Sequence, residues 1–154
     1  MTERPMEQRV PRIFSPQRRL DRYRRALARQ DGADAGTFVF DDMVEDIVER
    51  LEFTRAEPGS ALVMGDVSGQ LAPALQSRGF EVESPEPGYL DEEQPYPRTF
   101  RYVLSLGLLD TLNDLPGALV HMRNALEPGG MMIAQCLGAG TLPAMRQAVQ
   151  VADR

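Results

Sequence analysis

The chain has 154 residues, 42% hydrophobic and 26% charged, the make-up of one ordinary globular domain with its own core. One cysteine and one histidine exclude an internal disulfide and a conventional zinc ligand set, so no metal is expected. Residues 1–29 carry nine arginines and three acids and the rest eight arginines and 20 acids, net +6 and −12, and an acidic body argues against wrapping nucleic acid.

From the N-terminus, residues 1–16 contain Pro5, Pro11 and Pro16 and read as an irregular lead-in without an apolar signal core. No run nears the ~18 apolar residues of a membrane span, so a cytoplasmic protein without a transmembrane segment is expected. Gln17 to Gln30 reads as a basic helix with Leu20, Tyr23, Ala26 and Leu27 on one face, ended by Gly32 and Gly36. Its arginines suit a solvated helix packed on the acidic body, with RNA, acidic lipid or an acidic partner as alternatives. Phe40, Met43, Val44, Ile47, Val48 and Leu51 form an apolar stripe at helical spacing, with Thr37 as its candidate cap and Asp41 and Asp42 at the positive end of its dipole.

After the Pro58-Gly59 break, Ala61 to Gly65 is a short buried strand and Ser68 to Arg78 a helix ended by Gly79. Phe80 to Glu83 is a second strand, and the proline-rich, acidic stretch Ser84 to Arg98 is a loop with a possible helical turn around Leu90. Phe100 to Leu106 is a third strand. Asp114 caps a helix with Pro116 near its first position, running to about Leu126. Pro128-Gly129-Gly130 is a tight turn, Met131 to Leu137 a fourth strand, and Thr141 the candidate cap of a last helix. Apolar strands alternating with amphipathic helices predict an α/β fold, a parallel sheet covered on both faces. The lead-in with its basic helix occupies 1–36 and the α/β domain 37–154.

In such sheets ligands bind beyond the carboxyl ends of the strands, where strand order reverses. The first strand–helix turn, Gly65-Asp66-Val67-Ser68-Gly69, places a glycine at each end of a loop that opens a helix. By itself this is a common connection. His121 reads as a surface residue, Cys136 as a core residue of its strand, and Met131 and Met132 as core fillers.

The run Leu62 to Gly69 resembles the first motif of the class I S-adenosylmethionine-dependent methyltransferases, which have a Rossmann-like sheet. Phe100 to Ser105 is similar to that family's fourth strand. Asn113 to Leu119, followed by Arg123 to Gly130, is similar to the helix and Pro-Gly-Gly turn before its fifth strand. Pro11 to Phe14 and Gly138 to Leu142 narrow the resemblance to bacterial relatives of the methyltransferase-like complex I assembly factor, neighbours of the biotin-pathway acyl-carrier methyltransferases. The resemblance implies an S-adenosylmethionine pocket built from Gly65, Asp66, Ser68, Gly69 and Leu106. Glu83, or Glu81 in a shifted register, would hold the ribose, and Glu92, within Asp91 to Glu93, the adenine. Leu109 to Asn113 would face an acceptor, small molecule or protein side chain; no catalytic residue is assigned.

The chain departs from the family pattern at two points: Val63 stands where the family has an acid and Val67 where it has its middle glycine. Both predict weak or lost cofactor binding. The family's last two strands have no counterpart, which leaves the fourth strand here as an edge open to a second copy or another protein. The readings are therefore a methyltransferase of unknown acceptor, a non-catalytic interaction or assembly module on the same fold, and the arginine hydroxylation of the assembly-factor branch.

Overall fold

A computed structural model describes residues 12–30, 36–85, 90–138 and 140–152. The lead-in up to residue 11 and the Gly32 break lie outside the described residues. In chain order the elements are α1 (Pro16–Gln30), α2 (Phe38–Phe53), β1 (Ser60–Met64), α3 (Leu71–Gln76), β2 (Glu81–Glu83) and β3 (Phe100–Leu106). A short 3-10 turn (Leu109–Thr111), α4 (Leu115–Asn124), β4 (Leu126–Gln135) and α5 (Pro143–Ala152) follow. The strands form one parallel sheet of order β2-β1-β3-β4. This is the α/β, Rossmann-like sheet read from the sequence, in shortened form. No described residue between Ser84 and Arg98 forms a further strand outside β2.

Side chains that alternate along β1 feed two cores, one on each face of the sheet. Ala61 and Val63 pack with Val44, Ile47 and Leu51 of α2 and with Leu71 and Leu75 of α3. Leu62 and Met64 pack on the opposite face with Tyr23 of α1 and Met122 of α4. The α2 stripe is thus the buried one predicted, although Phe40 leans toward the second core and Thr37 makes no side-chain cap. Asp114 does cap α4: its Oδ1 accepts the Gly117 N–H at 2.9 Å, with Pro116 in the first turn.

Five local expectations are corrected. The helix after β1 begins at Leu71, not Ser68, and Leu142, not Thr141, precedes α5. Pro128-Gly129-Gly130 is a bulge inside β4, not a turn before it: Leu126 pairs with Phe100 and Met131 with Tyr102, so the intervening residues are accommodated opposite Arg101. A Cβ at Gly130 would stand 2.8 Å from the Arg101 carbonyl oxygen, which explains the glycine there. Cys136 lies beyond the end of β4 and is exposed, and Met132 is 36% exposed, on an edge strand with no fully buried residue.

Candidate functional site

The strand order reverses between β1 and β3, and the crevice beyond their carboxyl ends is the place such a sheet offers a ligand. Its floor is the turn Gly65 to Gly69 and the end of β3. Gly65 has φ +81°, and a Cβ there would overlap the Leu106 carbonyl oxygen. The glycine is therefore required by the approach of β3 to β1. Gly69 has φ +67° and open space around it, so its requirement is the left-handed turn alone.

Asp66 decides what this turn does. Its carboxylate is buried and points to the start of α3, where it accepts the N–H groups of Gln70, Leu71 and Ala72 at 3.2, 3.0 and 3.2 Å. Ser68 Oγ adds a fourth bond at 3.1 Å. These N–H groups are the ones a helix start otherwise turns toward a ligand anion. Here a residue of the chain itself takes them.

The other acids proposed from the resemblance are also engaged. Glu83, at the end of β2, pairs with Arg98 at 2.6 Å. Glu92 is fully buried and meets Arg19 of α1 at 3.1 Å. Arg19 also donates from Nε to Thr111 Oγ1 at 3.0 Å and from Nη2 to the Leu108 carbonyl at 3.5 Å. Burial pushes the Glu92 carboxyl above its usual range, against the opposing pull of Arg19. The Tyr23 phenol is raised by burial and then by the Asp66 charge.

These bonds pin α1 across the mouth of the crevice. Asn113 extends the attachment: its Oδ1 accepts the Ile13 and Phe14 N–H groups at 2.7 Å each, and its Nδ2 donates to the Phe14 carbonyl at 2.8 Å. Beneath α1 remains a mostly apolar cavity of about 140 Å3, bounded by Tyr23, Phe40, Met43, Val67 and Leu108, with Arg22 at its lining. Sites that hold drug-sized ligands span ~300–1,000 Å3. A space near 140 Å3 holds something the size of benzene.

Position 63, where the resemblance implies an acid for the ammonium of S-adenosylmethionine, is Val63, fully buried in the α2–α3 core. Val67 keeps a negative φ and directs its side chain into the second core as part of the cavity wall. The structure brings Gly65, Asp66, Ser68, Gly69 and Leu106 together, while Glu83 and Glu92 sit in ion pairs at two further points. Arg19, which fastens the roof, has no role in the sequence reading, and Asn113, read there as the end of the acceptor-facing segment Leu109 to Asn113, instead binds the backbone of Ile13 and Phe14. For Arg19 a signal existed: it falls four and seven residues before Tyr23 and Ala26, on the same helix face. Among the described residues no group of His, Cys, Asp and Glu is arranged to hold a metal, and no helix is long and apolar enough to cross a membrane.

No family model matches the chain. Over 55 residues it is 40% identical to the protein named Arginine-hydroxylase NDUFAF5, mitochondrial, of Danio rerio; the match covers 36% of this chain and 17% of that protein.

Proposed function

We propose that this chain is a methyltransferase-fold interaction or assembly module and not an S-adenosylmethionine-dependent enzyme. The observation that carries the reading is the Asp66 carboxylate seated on the N–H groups of α3, where a nucleotide-type ligand would be received. The buried Arg19–Glu92 pair supports it, because it fixes α1 over the same crevice. The similarity to the arginine hydroxylase favours a second reading, in which the crevice still takes S-adenosylmethionine and serves methyl transfer or arginine hydroxylation.

Calorimetric titration of the full chain with S-adenosylmethionine and S-adenosylhomocysteine separates the two. The module reading expects no binding at the low-micromolar level. Low-micromolar binding that is lost on Val67→Phe substitution in the cavity wall would favour the second.

A further inference from the structure

The unpaired side of β4 lies beside a flank of α2 that the crevice does not use. β4 ends the sheet, so one row of its backbone N–H and C=O groups has no strand partner among the described residues. An open groove of about 680 Å3 runs there, with Asp42, Glu45, Asp46 and Glu49 on the α2 side and Ala134 and Gln135 on the strand side. We propose that this groove docks an extended, basic segment of a partner protein, added to the sheet as a strand beside β4. The proposal deepens the module reading and rests on it.

Three features point to a basic strand. First, Met131 to Gln135, the part of β4 beyond Glu127, Pro128 and the bulge, carries no charge and no proline, the usual devices that keep an edge from pairing. Second, the four acids recur at i, i+3, i+4 and i+7 on one side of α2, an arrangement of like charges that weakens a helix. Asp46 is tied to Arg50 and, at 2.6 Å, to Gln135 Nε2, which joins the acidic flank to the strand edge. Asp42, Glu45 and Glu49 have no ion-pair partner among the described residues. Third, the Gln135 Oε1 is buried without a donor among the described residues, an unmade bond at the groove itself.

Side chains alternate along an added strand. One row lies under the α2 acids and calls for arginine or lysine; the other lies on the side of exposed Met132 and calls for apolar residues. A second copy of this chain fits poorly. Pairing two β4 edges about a twofold axis keeps both α2 flanks on one face of the joined sheet, acid against acid.

The test is calorimetric titration of the full chain with a decapeptide alternating arginine and valine, at low and high salt. Parallel titrations use a glutamate–valine peptide, an arginine–valine peptide with N-methylated valines, and S-adenosylmethionine. Binding of the arginine peptide is expected, lost with glutamate and lost with N-methylation. The triple variant Asp42→Asn, Glu45→Gln, Glu49→Gln removes charge from an exposed helix face and should weaken binding about tenfold or more. No binding of the arginine peptide overturns the proposal. So does equal binding of the N-methylated peptide, which would mean charge attraction without strand pairing. Sedimentation showing a dimer of the unliganded chain also overturns it. The S-adenosylmethionine arm reads the crevice separately, so failure of the module reading is distinguished from failure of the groove.

Discussion

β1 and β4 are both short apolar strands in the sequence, yet they live in different solvents. Ala61 to Met64 are at most 2% exposed, with strands on both sides and helices on both faces. β4 has no fully buried residue, and the helix that follows it, α5, buries none of its side chains. Met145 and Val149 on α5 are 63% and 53% exposed. The difference lies in the neighbours. An apolar residue stabilises a fold only to the extent that something covers it, and here the cover is concentrated over β1 and β3. The first part of the molecule supplies the stability, and the β4 side supplies surface.

The largest expected effect that sharpens this contrast is at Arg19. Arg19→Met leaves Glu92 buried and unpaired, a change that costs about 3–5 kcal/mol at neutral pH. The Glu92 carboxyl is already raised by burial, so the native chain binds its proton more tightly than the unfolded chain does. The Glu92 contribution is therefore fully present below the ordinary carboxylate range and is lost as pH rises through the raised value. In Arg19→Met that loss steepens, and urea unfolding at acidic and neutral pH should show part of the lost stability return in acid. An Arg19→Met chain as stable as the parent at neutral pH would break the view that α1 is fastened by this pair.

Next comes Leu62→Ala in β1, expected to cost about 2–5 kcal/mol because its site is closed on every side. Met132→Ala in β4, measured in the same urea series, should cost well under half of that. Equal losses would mean that the edge strand is covered in solution. Asp66→Ala removes the cap of α3 and should cost about 0.5–2 kcal/mol. It also frees the N–H groups of Gln70 to Ala72, so any gain in affinity for S-adenosylmethionine would show directly that the carboxylate blocks the crevice. Smallest is Met145→Ser with Val149→Ser on α5, expected within about 0.5 kcal/mol of the parent. A larger loss in thermal unfolding would place α5 against the body.

Much of this architecture is legible in residues. The α2 stripe, the four strands, their parallel order and the Asp114 cap follow from periodicity and local chemistry. What escapes is set by distant partners. The direction of the Asp66 side chain depends on where α3 starts, and the three residues Ser68, Gly69 and Gln70 that delay that start look helical by spacing. The Arg19–Glu92 pair joins residues 73 apart, and nothing near Glu92 distinguishes it from its acidic neighbours. Cys136 and Met132 read as core because their strand is apolar; their exposure follows from its place at the edge of the sheet. The Pro-Gly-Gly run reads as a turn because its composition is that of a turn, while the sheet absorbs it as a bulge.

The attachment of α1 also orders events in time. Its bonds span 73 residues to Glu92 and 100 from Ile13 to Asn113, the kind of closure that follows the formation of shorter-range contacts. During synthesis at ~5–20 residues per second, α1 therefore waits roughly 5–20 s for Asn113 to be made. Through that interval its arginines face water and keep the segment dispersed, while Tyr23 has no core to enter. α1 is thus made early and placed late, and in native-state hydrogen exchange its amides should open as a unit before those of β1 and β3.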